Sequence, residues 1–408
     1  MRLDKLLTRL LGVSDLCVLG AVYRPNGLVI DVKPRNRRPK CGICGHTGPR
    51  YDRSPPRLWR HLALGKTRFW LRYPPRRVTC KRCGVRVERV PWAAHDSCFT
   101  REFDEMTAWL VQRMDRSAAC RLMCINWRTA GTIVQRVVGA RLDSTRLDEL
   151  YIIGVDELSH RRYHQYVTIV VDHVKSRLVW VGEGKGELTL EQFFDELGSD
   201  RAKKLTHVTQ DLSAPFIKVV SKRAPQAKQV FDRFHIQKLA NEALDEVRRA
   251  EMRRDARSDG ARALKRCRWA LLKNPWNLNR RQGAKLRKLQ KTNQRLYRAY
   301  LLKESLARGL DYRQPKRASA HLDEWIRWAS RSKLKPFVKL SKTIRRFKQG
   351  ILAYVSTKLS NGLVEGLNNK IRLITRRAYG FHSAAALTAM IYLCCGGIAL
   401  HPPLPTNC

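Results

Sequence analysis

Three acidic residues stand where they could hold a divalent metal ion in a chain that is otherwise strongly basic. Asp156 and Asp211 each end a strand-like apolar run, and Glu365 lies in the helix-like segment 363–372. Carboxylates are ligands that Mg²⁺ prefers, and a pair of such ions about 3.5–4 Å apart can stabilise the attacking and leaving oxygens of a phosphodiester. The three acids therefore predict a site for two Mg²⁺ ions, with Mn²⁺ as a possible substitute, that cuts or joins nucleic acid.

The charge of the chain supports a nucleic-acid partner. Its 408 residues contain 81 Lys and Arg against 35 Asp and Glu, which gives a formal net charge of +46. Such an excess is typical of proteins that bind nucleic acid. A basic ribosomal-type protein or a protein of the membrane surface is the alternative. No small-molecule substrate is indicated.

The sequence offers little support for a membrane location. The first eleven residues alternate charged and apolar side chains and read as an amphipathic helix rather than a signal peptide. The apolar run 384–400 is shorter than the roughly 20 residues that a bilayer crossing needs. We therefore expect a buried helix there, and a protein of the cytoplasm.

Four of the 12 cysteines form two matched Cys-x-x-Cys-Gly units. The pairs are Cys41 with Cys44 and Cys80 with Cys83. Four thiolates suit a structural Zn²⁺, and the glycine after each pair permits the tight turn that a knuckle requires. We predict a zinc ribbon over residues 41–92, preceded by an N-terminal helix and hairpin over residues 1–40. The alternative is four unrelated buried cysteines.

Residues 97–140 are predicted to form a helix-turn-helix domain. A first helical stretch is followed by a helix that Ser117 could cap, a break at residues 125–127, and a further helix. On that last helix the apolar residues face inward, and the residues that face outward are predicted to contact DNA: Arg128, Thr132, Gln135 and Arg136. Any small helical bundle would show a similar pattern, so an ordinary bundle is the alternative.

From residue 150 the pattern becomes that of a mixed sheet. Three strands, a helix, a strand, a helix and a fifth strand follow one another in residues 150–236. This order matches a ribonuclease H-like fold, in which an antiparallel meander leads into parallel strands, and the strand of Asp211 should lie beside that of Asp156. The fold class predicted for the whole chain is multidomain α/β, with a catalytic core in residues 150–236 and 351–402 and a helical insertion between them.

The predicted insertion, residues 237–350, is strongly basic. Residues 261–300 contain thirteen Lys or Arg and no Asp or Glu. Such a stretch repels itself and is expected to rest against phosphates, although a solvated helix surface is the alternative. The aromatic residues interleaved with these charges are expected in the core, without contacts to bases: Trp269, Trp276, Tyr297 and Tyr300.

Several residues near the three acids are given supporting roles. Asp232 could cap the helix that follows it, or it could brace the site together with His235; the capping role is favoured. Glu157 should point to the opposite face of the strand from Asp156. On the helix of Glu365, Asn361, Asn369 and Arg372 are expected to face the same phosphate, and Lys370 and Arg372 are predicted to contact DNA.

Four segments of the chain resemble the bacterial insertion-sequence transposases of the ISL3 family. They are residues 231–238, 243–249, 360–372 and 377–381, and the four cysteines fit the zinc ribbon of that family. The resemblance implies an Asp-Asp-Glu transposase, and by motif position its triad falls on Asp156, Asp211 and Glu365. It also implies inverted repeats as the DNA partner, strand transfer to target DNA, and a homodimer or larger assembly on DNA. The location that it implies is the bacterial cytoplasm, at the nucleoid. A structure-selective nuclease on the same fold and an inactive DNA-binding regulator are the alternatives.

Overall fold

The computed structural model describes residues 3–13, 15–161, 165–254 and 264–401. Parts of three predicted segments lie outside these ranges, among them residues 1–2 of the N-terminal segment, residues 255–263 of the insertion, and residue 402 at the end of the catalytic core. The chain divides into two compact units, Met1–Leu142 with Arg377–Cys408, and Asp143–Arg376. The predicted catalytic core therefore lies in the second unit, except for its last segment.

The first unit begins with a helix and two small sheets. One sheet has the strand order β1-β2-β5-β4 and the other β3-β6-β7. The predicted N-terminal hairpin is present, since β1 and β2 pair in antiparallel register around the turn at Asn26 and Gly27. The elements are α1 Leu3–Leu11, β1 Leu16–Arg24, β2 Gly27–Pro34, β3 Arg50–Arg53, β4 Arg57–Leu64, β5 Thr67–Tyr73, β6 Arg76–Cys80 and β7 Gly84–Val87.

The hairpin and the predicted ribbon segment share one of these sheets. Strand β2 pairs with β5, and the shared core contains Ile30, Trp59, Leu71 and Trp92, all nearly or fully buried. The boundary predicted at residues 40 and 41 is thus crossed by the hydrogen bonds of a single sheet.

Three helices follow, α2 Arg101–Arg113, α3 Arg116–Met123 and α4 Trp127–Arg141. The expected helix cap at Ser117 is wrong, because the side chain of Asp115 accepts the N–H of Ala118 instead. The chain turns between α3 and α4 through Cys124, which has a left-handed backbone (φ 48°), and Asn126 caps α4 through the N–H of Thr129.

The apolar run near the C-terminus is a buried helix, Ala384–Cys395, as expected, but its place in the fold is not. It packs against α2 and α4, and Gln112 Nε2 on α2 donates to Leu393 O at 2.6 Å. This helix falls in the same compact unit as α2 and α4, and the assignment of residues 351–402 to the catalytic core stays a prediction. Within the described residues, no helix is both long and apolar enough to cross a membrane.

The second unit contains a five-stranded mixed sheet. Its strand order is β10-β9-β8-β11-β12, with β8, β9 and β10 antiparallel and β11 and β12 parallel to β8. The strand of Asp211 therefore lies beside that of Asp156, as predicted. The elements are β8 Ile152–Arg161, β9 Gln165–Asp172, β10 Arg177–Glu183, α5 Glu187–Leu197, α6 Ser199–Ala202, β11 His207–Gln210, α7 Ala214–Arg223 and β12 Lys228–Phe231.

Helices make up the rest of this unit, as predicted for the insertion. They enclose an apolar core that includes Ile236, Leu244, Leu302, Trp325 and Phe337. The elements are α8 Arg233–Arg254, α9 Arg268–Leu272, a 3₁₀ turn at Pro275–Asn277, α10 Arg280–Thr292, α11 Gln294–Asp311, α12 Pro315–Arg331, α13 Lys335–Arg346, α14 Lys348–Thr357 and α15 Gly362–Arg377.

Candidate active site

The helix of Glu365, α15, lies directly on strand β8. A Cβ atom built on Gly154 would lie 2.6 Å from Val364 Cγ2 and 2.8 Å from His173 Nε2. Real Cβ atoms do not approach other atoms so closely, so only glycine permits this packing. Asp156 lies two residues further along β8, on the same face of the sheet.

Asp156 is held from two sides. Its Oδ1 accepts the backbone N–H of Glu157 at 2.8 Å, and its Oδ2 accepts Nδ2 of Asn368 on α15 at 2.7 Å. Burial raises the pKa of Asp156 because water no longer solvates the charged form, and the negative charge of Asp211 raises it further. The hydrogen bonds from Glu157 and Asn368 and the nearby His235 act in the opposite direction.

Asp211 follows β11 and is half-buried. Its Oδ1 accepts the N–H of Ser213 at 3.0 Å, which fixes the carboxylate at the start of α7. Its charge also raises the pKa of Glu157, after burial, whereas Lys185 lowers it. Glu157 was expected on the opposite face of the strand from Asp156, yet the negative charges of both aspartates raise its pKa.

Glu365 lies in the first turn of α15 and is half-buried. The buried residues of this helix are Val364, Asn368, Ile371 and Ile374, so Glu365 lies at the border of the buried face. Among the described residues, the four cysteines are the only group of three or more potential ligands that closes into a cluster. The structure thus brings Asp156, Asp211 and the helix of Glu365 together without joining the three carboxylates in a closed cluster.

Asp232 connects the start of α15 to the start of α8. Its Oδ1 accepts the N–H of Phe234 at 3.2 Å, and its Oδ2 accepts the N–H of Asn361 at 3.0 Å. The first bond agrees with the favoured capping role, and the second adds an anchor for the helix of Glu365. His235, one turn into α8, is near enough for its charge to lower the pKa of Asp156.

Two asparagines, one just before α15 and one within it, carry buried polar atoms that the described residues leave without a hydrogen-bond partner. They are both side-chain polar atoms of Asn361 and the Oδ1 of Asn368. The expectation that Asn361 faces a phosphate is wrong, because this residue is fully buried. Lys370 and Arg372 are exposed, and Arg372 Nη1 donates to Oδ1 of the exposed Asn369 at 3.0 Å.

The four predicted zinc ligands converge in the first unit. The sulfur atoms of Cys41, Cys44, Cys80 and Cys83 all lie within 4.8 Å of one another. Tetrahedral Zn²⁺ with bonds of about 2.3 Å would place them about 3.8 Å apart. The glycines that follow the two pairs adopt the expected left-handed backbone, with φ values of 74° at Gly45 and 73° at Gly84.

The protonation of these cysteines suits a bound cation. Backbone N–H groups of Arg82 and Cys83 lower the pKa of Cys80 to about 7. The neighbouring Cys44 and burial raise the pKa of Cys83 to about 12. Cys83 therefore keeps its proton at neutral pH unless a bound cation replaces it, as metal binding to thiols requires.

The outer face of α4 is only partly as predicted. Arg128, Thr132 and Gln135 are exposed. The prediction that Arg136 points outward is wrong, since its Nη1 donates to Oδ2 of the buried Asp104 at 2.6 Å and so ties α4 to α2. Burial raises the pKa of Asp104 to about 6, although the Arg136 guanidinium lowers it.

The sequence of this chain is similar to those of known protein families. Residues 153–391 match a family model described as a transposase, and residues 88–138 match the helix-turn-helix domain of the transposase family ISL3. The chain belongs to the ISL3 family of transposases. The transposase for insertion sequence element IS1557 of Mycobacterium tuberculosis is 40% identical over 99% of this chain and 98% of its own length. The transposase for insertion sequence element IS1001 of Bordetella parapertussis is 30% identical, over 87% of this chain and 88% of its own.

Membership in this family makes the protein a DNA transposase of the Asp-Asp-Glu type, and the nuclease and regulator alternatives are not favoured. The family also accounts for a divalent metal requirement and for DNA binding through the helix-turn-helix.

Sequence reasoning missed two residues of this transposase that position Asp156. A glycine inside a strand, such as Gly154, is a signal for the close approach of another element, and the sequence carries this signal. Asn368 was passed over for its exposed neighbour Asn369. The helical spacing from Val364, four residues earlier, could have placed Asn368 on the buried face.

Proposed function

We propose that the transposase cleaves the ends of its insertion sequence and joins them to target DNA at a site formed by Asp156, Asp211 and Glu365. The observation that carries this proposal is the fixing of Asp156 between strand β8 and the helix of Glu365 through Asn368. Among the described residues, the Glu365 carboxylate does not form a closed cluster with those of Asp156 and Asp211. Glu365 nevertheless lies about one turn before Asn368 on the same helix.

The catalytic core is proposed to have a ribonuclease H-like fold. The sheet order, with β8 flanked by antiparallel β9 and parallel β11, supports this assignment. In such a sheet the acid on the first strand and the acid after the fourth strand stand side by side, which agrees with the mutual repulsion of Asp156 and Asp211.

The three acids suit two Mg²⁺ or Mn²⁺ ions. Asp156, Asp211 and Glu365 supply hard oxygen ligands, and like charges at Asp156, Asp211 and Glu157 accumulate in a chain of net charge +46. When bound, the ions would activate the attacking hydroxyl or water and stabilise the charge on the leaving oxygen.

The protein's own groups would keep this site in shape. Asn368 orients the Asp156 carboxylate, and Asp232 fixes the first turn of α15, from which Glu365 extends. His235 offsets part of the negative charge around Asp156. These contacts are of the outer-shell kind that holds ligating carboxylates in place.

The first unit would bind the inverted repeats. Zn²⁺ on the four cysteines would stiffen the ribbon, and Arg128, Thr132 and Gln135 would contact DNA from α4. Exposed Lys370 and Arg372 would bind phosphates near the site. Because two ends must be brought together, a homodimer or larger assembly on DNA is proposed, at the nucleoid.

Cleavage of a labelled duplex that carries the element's end tests the proposed triad. Asp156→Ala, Asp211→Ala and Glu365→Ala should each abolish cleavage in Mg²⁺ while leaving duplex binding in place. Asp200→Ala, which removes an exposed acid of the same unit, should cleave normally. Cleavage that survives any of the three changes would remove that residue from the proposal.

A second assay separates transposition from simple nuclease activity. Pre-cleaved ends with a free 3′-hydroxyl are incubated with target plasmid, Mg²⁺ and the full chain. The proposal expects joined products that the three alanine variants do not form. Cutting of branched DNA without joining would support a nuclease instead.

A further inference from the structure

Two tryptophans of the helical insertion are exposed, contrary to the expectation that they lie in the core. Trp269 is 64% exposed and Trp276 is 71% exposed, whereas Tyr300 of the same stretch is buried. Leaving large aromatic side chains in water forgoes the gain from burying them, so such residues commonly mark an interaction site.

The backbone that carries these tryptophans is anchored. Between them, Leu271 is buried, and Nζ of the buried Lys303 donates to Leu271 O at 3.0 Å and to Lys273 O at 3.3 Å. A 3₁₀ turn, Pro275–Asn277, then holds Trp276. The two aromatic side chains are thus presented on an ordered turn, so little conformational entropy remains to be lost when they bind.

Arg268 adds a positive charge beside the ring of Trp269. Its guanidinium lies 5.4 Å from the centre of the Trp269 ring, and its Nε lies 3.6 Å from Oδ1 of Asp245 on α8. The guanidinium therefore lies over one face of the Trp269 ring, where it could contact a phosphate next to a stacked base.

The charge around the tryptophans identifies the class of partner. Residues 264–293 contain ten Lys or Arg and no acid. A second copy of this surface would be repelled, so the partner must be an anion that also offers flat apolar faces. Nucleic acid satisfies both conditions, because its phosphates are anionic and its bases are flat, but the bases of an intact duplex are already stacked and paired.

We propose that Trp269 and Trp276 form a stacking site for unpaired DNA bases. Strand cleavage, the family's established activity, produces ends at which bases can separate from the duplex. The site would hold such a base between an indole ring and the surrounding cations, a role that neither the family match nor the acidic triad assigns to these residues.

The test measures binding of the full chain to oligonucleotides that carry the fluorescent base analogue 2-aminopurine. The analogue is placed in a single strand, in an unpaired flap on a duplex, or inside a fully paired duplex. The wild type should quench the fluorescence of the first two. Trp269→Ala with Trp276→Ala should lose the quenching and weaken single-strand binding by about 5- to 150-fold for each stacked base lost.

Two further variants serve as controls. Trp269→Phe with Trp276→Phe keeps aromatic rings and should retain most of the quenching and affinity. Trp328→Ala removes another exposed tryptophan, on α12, and should behave as the wild type. Binding to the fully paired duplex should be the same for all variants.

Three results would overturn the proposal. One is single-strand binding and quenching by the double alanine variant that match the wild type. Another is an equal loss of duplex and single-strand binding, which would indicate a general phosphate contact. The third is tryptophan-dependent binding to vesicles of anionic lipid without any effect on DNA, which would identify a membrane surface as the partner.

Discussion

Asp156 and Asn368 are joined by a hydrogen bond of 2.7 Å although 212 positions separate them in the chain. The bond connects the central strand of the sheet to the helix of Glu365. The N–H of Asn361 also donates to Asp232, so the start of this helix is held as well.

Removing this bond should impair cleavage without unfolding the protein. In Asn368→Ala the carboxylate of Asp156 loses one of its two hydrogen bonds, and loss of such an outer-shell contact typically costs about 10–100-fold in activity or metal affinity. The bond lowers the pKa of Asp156, so the acidic limb of the pH–rate profile should also move to higher pH. Single-turnover cleavage rates measured across pH test both effects.

Leu373→Ala is the control for this variant, because Leu373 is an exposed residue of the same helix. It should leave the rate and the pH profile unchanged. A wild-type profile for Asn368→Ala would show that the bond does not position Asp156.

A methyl group at position 154 should separate the helix from the strand. Gly154→Ala places a Cβ atom in conflict with Val364 and His173, and overpacking of this kind costs about 1–3 kcal/mol. We expect a lower Tm and slower cleavage. Val364→Ala, added to Gly154→Ala, should recover part of both losses, because it removes the nearest conflicting atom. Wild-type cleavage by Gly154→Ala alone would contradict the close packing.

The sequence predicted the elements of the core better than it predicted their side-chain contacts. Alternating apolar runs and chain order were enough to place the strand of Asp211 beside that of Asp156, because parallel crossovers leave few topologies. The inward turn of Arg136 depends on a buried acid on another helix, Asp104, and residue spacing does not reveal such a partner. The apolar sequence of residues 384–400 predicted a buried helix, but it did not indicate which helices or strands this helix packs against.

The buried position of Asp156 should make this residue a liability for stability in the absence of metal. Its pKa is raised in the folded protein, so between about pH 4, the ordinary pKa, and the raised folded pKa the folded state binds more protons than the unfolded state. Stability is therefore lost as pH rises through the folded pKa. Asp156→Asn should raise the Tm at pH 7 in the presence of EDTA, and the difference should vanish at a pH below the ordinary pKa of aspartate.

Thermal unfolding of both proteins at several pH values measures this difference. In saturating Mg²⁺ the order should reverse, because metal bound only to the folded wild type stabilises it. A lower Tm for Asp156→Asn in EDTA at pH 7 would mean that the charged form of this carboxylate does not destabilise the folded protein.

The four-cysteine cluster should hold one structural metal ion. Cys80→Ser with Cys83→Ser should remove bound zinc, lower the Tm and weaken binding to the element's ends, because the two Cys-x-x-Cys units lose the metal ion that joins them. Cys98→Ser, at an exposed cysteine of the same unit, should retain zinc and DNA binding. Elemental analysis of the purified full chain, together with DNA binding, provides the comparison; equal zinc contents in the two variants would exclude the cluster as the metal site.

The direct test of the catalytic site is cleavage by Asp156→Cys, Asp211→Cys and Glu365→Cys in Mg²⁺ and in Mn²⁺. Mg²⁺ requires oxygen ligands, whereas Mn²⁺ accepts a thiolate more readily. Each variant should be inactive in Mg²⁺ and recover cleavage in Mn²⁺, while the matched alanine variants stay inactive in both. Wild-type cleavage in Mg²⁺ by any of the three cysteine variants would contradict its place as a metal ligand.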